Sequence, residues 1–229
     1  MQRRERLVGG HGQDEAGAHP FEAAIHGLGH AADGLKGLLD PLPVLLDFRA
    51  PEIRFLVEDD VPSVRAGLRL RSGQWIEFYG VHPRPPEVQE DTEERDAEIL
   101  IVGQQIAADG RPSIVAGDLN AVAWSDTTRQ FQKISGTLDP RRGRGTFNTF
   151  HARYPFLRWP LDHVFHEASF TLIRLERLRG IGSDHFPVFA ALQFEPKAET
   201  RQEAPQADAE DHDEAREKIT DGRQERRVV

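Results

Sequence analysis

Residues 113–120 read SIVAGDLN, and this stretch joins a short apolar run to a group of polar side chains. An apolar run of this length, bounded by Gly117, is typical of a buried strand. Asp118 and Asn120 follow the run, and residues two apart in an extended chain point to the same side. A carboxylate and an amide are therefore expected together at the end of one strand. Taken alone, the stretch is also compatible with an ordinary turn, because Gly-Asp and Leu-Asn are common turn residues.

The sequence on both sides of this stretch alternates between strand and helix patterns. Before it, residues 52–57 and 63–82 predict strands with a hairpin turn at Gly73, and residues 91–110 predict a helix that ends at Gly110. A second helix is expected at residues 125–135. Further strands are expected at residues 159–165, 169–178 and 186–194. This order predicts an α+β fold.

Composition divides the chain into three zones. Residues 1–50 are poorly patterned, since Gly and Pro interrupt the helical pattern and leave at most a poor helix at residues 21–39. Residues 51–196 carry the strands and helices of the predicted domain. Residues 197–229 have mixed charge and almost no large apolar side chains, so we expect a disordered tail.

Bulk composition excludes several classes of function. The 229 residues contain no cysteine, which excludes disulfides and thiolate metal sites. The net charge of −9 disfavours broad electrostatic binding to duplex nucleic acid. No apolar run of about twenty residues is present, so no transmembrane helix is expected in this chain. The N-terminus lacks the apolar core of a signal peptide.

Three further segments place chemically active side chains at or near strand ends. His82 closes a predicted strand and is followed by Pro83. Asp162 lies within the apolar stretch PLDHVF, residues 160–165, where a buried carboxylate needs a partner such as a histidine. The alternative for Asp162 is an edge strand with a solvated acidic face.

The pair Asp184-His185 lies in GSDHFPV, residues 182–188. In a regular strand these two side chains would point to opposite faces, so both can reach one ligand only if the chain turns. Gly182 and Ser183 permit such a turn.

The motifs VHPRPP, GDLN, PLDHVF and GSDHFPV follow one another along the chain. In these motifs and their order, the chain resembles the endonuclease/exonuclease/phosphatase superfamily of deoxyribonuclease I-like and exonuclease III-like phosphohydrolases. The resemblance runs from about residue 52 to residue 194. It implies a two-sheet β-sandwich with flanking helices and a site that depends on Mg²⁺ or Mn²⁺. The nearest similarity is to bacterial hydrolases that often carry membrane-spanning N-termini. The chain as given would be cytoplasmic and monomeric, whereas longer relatives would be membrane-anchored.

The resemblance also implies a reaction, the metal-dependent hydrolysis of phosphate esters by activated water. Asp118 would position or activate the attacking water, and Asn120 would hydrogen-bond the scissile phosphate. Asp184 would bind the metal. The implied substrates are nucleic acids or small phosphodiesters.

The same resemblance gives the two histidines their expected roles. His185 would contact the phosphate or take the proton of the water, and Asp162 would orient its ring. His82 would act as donor or acid on the other side of the phosphate.

The N-terminal part departs from the family pattern. The family's first strands carry an asparagine and then a metal-binding glutamate, and residues 1–50 show neither motif. Glu22, Asp40, Asp47 and Glu52 lack the strand context. We therefore expect that N-terminal strands are missing and that residues 1–50 are not native to the fold, through a misassigned start, a frameshift or a degraded gene. The alternative function is then an inactive remnant that lacks the Glu ligand and acts at most in binding or structure.

Two other clusters have alternative interpretations. His26 and His30 have the spacing of zinc ligands on a helix, although no third ligand is apparent. The basic group Arg141, Arg142 and Arg144 could meet a phosphate or form a solvated loop.

Overall fold

The computed structural model describes residues 47–48, 52–56, 62–85 and 92–225. The main sheet contains β1 (Asp47–Phe48), β2 (Glu52–Phe55), β3 (Pro62–Arg69), β4 (Trp75–Gly80), β5 (Ser113–Asp118) and β6 (Asp162–His166). The second sheet contains β7 (Phe170–Arg177) and β8 (Val188–Phe194). The helices are α1 (Glu93–Asp109), α2 (Asp126–Ser135) and α3 (Ala209–Glu225), with a 3₁₀ turn at Pro196–Thr200. This mixture of two sheets and flanking helices confirms the predicted α+β sandwich.

The main sheet has the order β1-β3-β4-β5-β6, and β2 pairs with the same strand β3 as β1 does. Its strands pair antiparallel except for β4 and β5, which are parallel. A parallel pair needs a crossover connection, and α1 supplies it. β3 and β4 form the predicted hairpin, in which Gly73 adopts a φ of +86° that suits glycine.

The main sheet is covered on both faces. On one face, side chains from α1 and α2 pack against the sheet in a core of Tyr79, Val81, Ile99, Val102, Ile106, Val115, Leu119, Ala121, Phe131 and Phe165. On the other face, the second sheet closes a smaller core of Ala66, Leu68, Ile76 and Phe170, flanked by Phe78, Ile114, Leu192 and Phe194. This layering leaves one end of β4, β5 and β6 free for polar side chains.

The C-terminal region differs from the expected disordered tail, because residues 209–225 form α3 and pack on α1. Ala215 and Ile219 are buried in a third apolar cluster that they share with α1 and α2. A Cβ at Gly222 would lie 2.5 Å from the Glu93 carbonyl oxygen, so the helices approach closely there. Small residues at the contact allow docking although the helix is mostly polar, a feature that composition alone conceals.

Several sequence-based predictions fall outside the described residues. They include the zinc ligands His26 and His30, the acidic candidates Glu22 and Asp40, and most of the unpatterned segment 1–50. Within the described part of the chain, no helix is long and apolar enough to cross a membrane.

Candidate active site

Strand register brings the first site residues together. β4 and β5 are parallel with Gly80 beside Ala116, so two residues further along each chain His82 lies beside Asp118. The His82 Nε2 atom is 3.8 Å from Asp118 Oδ2, and the imidazole is 69% exposed. β5 and β6 are antiparallel, and their register places Asp118 directly opposite Asp162. Two carboxylates therefore meet at the end of the sheet.

Gly117 allows this convergence because the backbone of the β4 end passes very close to it. The Val81 N–H donates to the Ala116 carbonyl at 3.1 Å, which continues the ladder beyond β4. A Cβ at residue 117 would lie 1.8 Å from the Val81 carbonyl oxygen. Only glycine fits there, which gives the glycine of the GDLN motif a structural reason.

Asn120 is reached by a turn rather than by continued extension. Its φ is +49°, and its N–H donates to Asp118 Oδ1 at 2.9 Å. Its side-chain Nδ2 donates to the Pro83 carbonyl at 2.8 Å, which ties this turn to the His82 loop. Of the two interpretations that the sequence left open, the structure therefore has the turn, and an asparagine tolerates the left-handed conformation that this turn requires. The two residues are nevertheless neighbours at the sheet end.

His185 enters the site from the loop before β8. Phe150 and His185 form an isolated antiparallel bridge, and the His185 N–H donates to Ser183 Oγ at 3.1 Å within the predicted turn. His185 Nδ1 is 2.7 Å from Asp162 Oδ2, and its Nε2 is 3.5 Å from Asp118 Oδ2. The structure thus supplies the histidine partner that the Asp162 carboxylate was expected to need.

The electrostatics follow from this crowding of acids around one imidazole. Burial raises the pKa of Asp118, and the neighbouring Asp162 charge raises it further, while the Asn120 N–H and both histidines oppose the shift. The hydrogen bond to Asp162 raises the pKa of His185, and the charges of Asp162, Asp118 and Asp184 add to that effect. His185 therefore holds a proton more tightly than an ordinary histidine does.

Asp184 lies beside the site rather than in it. Asp184 is exposed, and its Oδ1 accepts a hydrogen bond from Ser183 Oγ at 3.3 Å. Its backbone carbonyl accepts a hydrogen bond from the Ala152 N–H at 2.7 Å. Although the chain turns at Ser183, His185 joins the group formed with Asp118 and Asp162, and Asp184 is not among those residues. A metal-binding role for Asp184 stays a prediction.

A buried polar layer beneath the site was not predicted from the sequence. Arg141 is only 7% exposed, pairs with Asp139 at 2.8 Å and donates to His163 Nδ1 at 2.6 Å. His163 Nε2 in turn donates to the Ala121 carbonyl at 2.8 Å, and burial lowers the pKa of His163 to about 3, so this ring is neutral. Arg141 is therefore buried with its charge satisfied by Asp139, whereas Arg142 and Arg144 are exposed, as the solvated-loop interpretation expects.

Arg95 supports the site from α1. Its Nη1 donates to the Asn120 carbonyl at 3.0 Å, while its Nε and Nη2 bond to Asp96 at 2.9 and 2.7 Å. The helix thereby holds the turn that follows β5. No sequence motif marks this contact, because the two residues are distant in the chain.

Comparison with known proteins identifies the family and supports the same fold. The model of the endonuclease/exonuclease/phosphatase family matches residues 26–185, which is more than half of the 229 residues. The chain belongs to the endonuclease/exonuclease/phosphatase family. The match begins at residue 26, within the segment that was expected not to match the family. No curated protein is a significant match to this endonuclease/exonuclease/phosphatase chain.

Several solved structures share the fold. An endonuclease/exonuclease/phosphatase family protein from Bacteroides thetaiotaomicron is 22% identical, with a TM-score of 0.51 over 65% of this chain and 66% of that one. The human Nocturnin catalytic domain is 16% identical, with a TM-score of 0.53 over 65% of this chain and 60% of that one. D. rerio TDP2, complexed with a single-strand DNA product, is 18% identical, with a TM-score of 0.52 over 64% of this chain and 68% of that one. The chain thus spans about two thirds of the length of these proteins.

The family implies a divalent metal, and the site residues fit one. Asp118, Asp162 and His185 each offer a ligand atom, and these atoms all lie within 4.8 Å of one another. Mg²⁺ is commonly held by one or two carboxylates together with waters and substrate phosphates, which matches the two carboxylates here. The imidazole is the weakest Mg²⁺ ligand of the three, because Mg²⁺ prefers oxygen ligands. Glu52 lies apart from this group, on an edge strand, and pairs with Arg54 at 2.8 Å.

Proposed function

We propose that this chain hydrolyses phosphate esters through attack of a water molecule on phosphorus. The observation that carries the proposal is the placement of the His185 ring between two carboxylates. Its Nδ1 is 2.7 Å from Asp162 and its Nε2 is 3.5 Å from Asp118. Family membership supports the reaction class, since phosphoryl transfer is the chemistry that the family name describes.

The Asp162 carboxylate sets the state of the His185 ring. A carboxylate at Nδ1 keeps the proton on that nitrogen and leaves Nε2 directed at the site. A neutral Nε2 takes a proton from the attacking water, and a protonated Nε2 donates to a phosphate oxygen. Both actions use the same atom, so the position of the ring matters in either protonation state.

Asp118 is placed to orient the water. One of its oxygens accepts from the Asn120 N–H at 2.9 Å, which leaves the other oxygen facing both imidazoles. The water oxygen bonds to phosphorus as the bond from phosphorus to the ester oxygen breaks. The departing oxygen takes a proton, which His82 can donate because its Nε2 faces the same side of Asp118.

Asp118 and Asp162 would hold the divalent cation, with His185 beside it. A bound Mg²⁺ would supply stabilisation of the charge that develops on the phosphate oxygens. Without a cation, two acids at one site repel a phosphate, so activity should require the metal.

The net charge of the chain favours one class of phosphate-ester substrate over another. The net charge of −9 disfavours long duplex nucleic acid, whereas a small phosphodiester or a single strand remains compatible with the open site. TDP2 of the same fold was solved with a single-strand DNA product, which is a property of that protein.

The inactive remnant is the alternative. One observation favours it: among the described residues, the metal-binding group contains two aspartates and a histidine but no glutamate. A remnant would keep the fold and the hydrogen bonds of the site without binding Mg²⁺ tightly.

The test combines turnover with metal binding. Hydrolysis of bis(p-nitrophenyl) phosphate and p-nitrophenyl phosphate is measured with Mg²⁺, with Mn²⁺ and after chelation. We expect metal-dependent release of p-nitrophenol, together with heat of Mg²⁺ binding by calorimetry. Absence of turnover on both esters, with no detectable metal binding, would establish the remnant instead.

A further inference from the structure

Exposed apolar side chains are concentrated around the site. Nine large hydrophobic residues are exposed in the described part of the chain, and six of them lie on the loops that follow β5 and precede β6 and β8. They are Trp124, Tyr154, Phe156, Leu157, Trp159 and Ile181. The same three loops carry or lead to Asn120, Asp162 and His185. Large apolar surface that stays in water next to polar groups marks an interaction site.

The centre of this surface is residues 149–159, which we call the aromatic hairpin. Its two arms are joined by backbone bonds from Thr149 to Trp159 at 3.0 Å and from His151 to Leu157 at 3.2 Å. The Leu157 N–H donates to the Tyr154 carbonyl at 3.2 Å and closes the tip. Phe156 at this tip is 96% exposed. Because the arms are hydrogen-bonded, the tip side chains are held outwards in the structure.

The aromatic hairpin is fixed directly to the candidate site. Phe150 forms isolated bridges with both Trp159 and His185, and its ring centroid is 4.9 Å from that of His185. The Ala152 N–H donates to the Asp184 carbonyl at 2.7 Å. A surface that binds the hairpin tip would therefore lie beside the Asp162–His185 pair.

The charge of the aromatic hairpin is opposite to that of the chain as a whole. Residues 149–159 contain Arg153 and Arg158 and no acid, in a chain of net charge −9. The Arg158 guanidinium also lies 4.9 Å from the Phe186 ring centroid, which fixes a positive charge at the base of the hairpin. Such a local basic group next to apolar side chains complements a surface that is apolar inside and anionic at its rim.

We propose that the aromatic hairpin docks on an anionic lipid bilayer. Trp and Tyr favour the interfacial region of a membrane, and Phe and Leu insert at the boundary between headgroups and acyl chains. A single-stranded nucleic acid fits less well, because such a strand is held by a basic groove along its backbone and residues 149–159 supply only Arg153 and Arg158. Docking itself does not depend on the proposed function. If the chain is a phosphoesterase, docking would place lipid headgroup phosphates next to His185.

The experiment is sedimentation of the full chain with two kinds of vesicle, phosphatidylcholine alone and phosphatidylcholine mixed equally with phosphatidylglycerol. We expect binding to the anionic vesicles. The double variant Phe156→Ser/Leu157→Ser should bind about a hundredfold more weakly, since each lost apolar side chain weakens binding by roughly a factor of ten. Arg153→Gln should weaken binding to the anionic vesicles only.

Matched controls separate docking from folding and from catalysis. Ile173→Ser removes an apolar side chain that is 59% exposed on β7, and it should bind vesicles as the wild-type chain does. Asp118→Asn should lose hydrolysis yet keep vesicle binding, so failure of one proposal is visible without the other. Equal urea midpoints for the double variant and the wild-type chain would show that the variant is folded.

Three results would overturn the inference. The first is no sedimentation of the wild-type chain with anionic vesicles. The second is binding of single-stranded oligothymidylate that the double variant loses, which would make the hairpin a nucleic-acid surface. The third is a wild-type dimer that the double variant dissociates, which would make a second copy of the chain the occupant.

Discussion

At the scale of single residues, the pairing of His185 with Asp162 is the feature on which the site depends. Replacing Asp162 by Asn removes the charged hydrogen-bond acceptor that is the main cause of the raised His185 pKa. We expect the pKa of His185 in the metal-free protein to fall in Asp162→Asn, so that the ring loses its proton at lower pH. Nuclear magnetic resonance titration of the imidazole measures this. An unchanged His185 pKa would show that the hydrogen bond does not form, and His163, with a pKa of about 3, should remain neutral throughout as an internal control.

Glu98 predicts a dependence of stability on pH that has nothing to do with the site. Burial raises the pKa of Glu98 to about 7, from an ordinary value of 4.5, and Ser63 Oγ donates to it at 3.0 Å. The folded chain then binds this proton more tightly than the unfolded chain does. The stability that this proton contributes is complete below about pH 4.5 and is lost as pH rises to about 7.

The variant Glu98→Gln should remove most of this dependence. Its free energy of unfolding in urea should exceed that of the wild-type chain at alkaline pH and be similar at acid pH. The control Glu94→Gln, on the same helix but less buried, should leave the wild-type pH profile unchanged. An identical pH profile for Glu98→Gln and wild type would show that Glu98 is solvated in the folded protein.

Prediction from sequence succeeded at the residue scale where burial alone decided the matter. An acid within an apolar strand needs a partner, and that requirement connected Asp162 to a histidine. The turn at Asn120 was one of two interpretations that the sequence left open, whereas the buried position of Arg141 was not predicted, because both environments depend on residues distant in the chain. Asn120 bonds the Pro83 carbonyl, and Arg141 bonds His163 on another strand.

At the scale of elements, the close approach of the β4 end to β5 determines the geometry of the site. Gly117→Ala places a methyl group against the Val81 carbonyl, since its Cβ would be 1.8 Å from that oxygen. We expect a loss of at least about 3 kcal/mol in the free energy of unfolding, or failure to fold. Gly136→Ala is the matched control, because its φ is +66° and nothing lies within 4 Å of the added Cβ. That control should cost about 1 kcal/mol. Equal losses in the two variants would contradict a clash at Gly117.

The ends of the helices could be predicted from the local sequence, whereas the packing of a helix could not. α2 begins after Ser125, whose Oγ accepts from the Thr128 N–H at 3.1 Å, and α1 ends at Gly110 in the left-handed conformation. Both ends were predicted, because caps are local. The helix α3 was expected to be disordered, because its docking depends on small residues that meet α1 rather than on its own hydrophobicity.

At the scale of the whole molecule, α3 completes the helical layer. Ile219 is buried against the cluster that contains Leu100, Ile101 and Ile134. Ile219→Asp should undock α3 and lower the free energy of unfolding by about 3 kcal/mol, because it buries a charge and loses apolar contact. Limited proteolysis should then cleave between residues 202 and 208. The control variant Glu217→Ala changes an exposed side chain on the same helix and should have the stability and proteolysis pattern of the wild-type chain. If Ile219→Asp also matched the wild-type chain in both measurements, α3 would not be docked in solution.

The two-sheet architecture was predicted because the order of the motifs resembles that of a known family. The parallel pairing of β4 with β5 was not predicted, because it depends on how the chain crosses over through α1. The relation of loops to one another was not accessible. The aromatic hairpin lies beside His185 only because Phe150 pairs with both Trp159 and His185.

The most direct test of the central claim is the rate of bis(p-nitrophenyl) phosphate hydrolysis by three forms of the full chain in the presence of Mg²⁺. These are the wild-type chain, Asp118→Asn and the control Asp126→Asn, which changes an acid that is 87% exposed on α2. We predict that Asp118→Asn lowers the rate by about a hundredfold or more, while Asp126→Asn retains the wild-type rate. Equal rates for all three forms, or no hydrolysis by the wild-type chain, would contradict the assignment of this site to phosphate-ester hydrolysis.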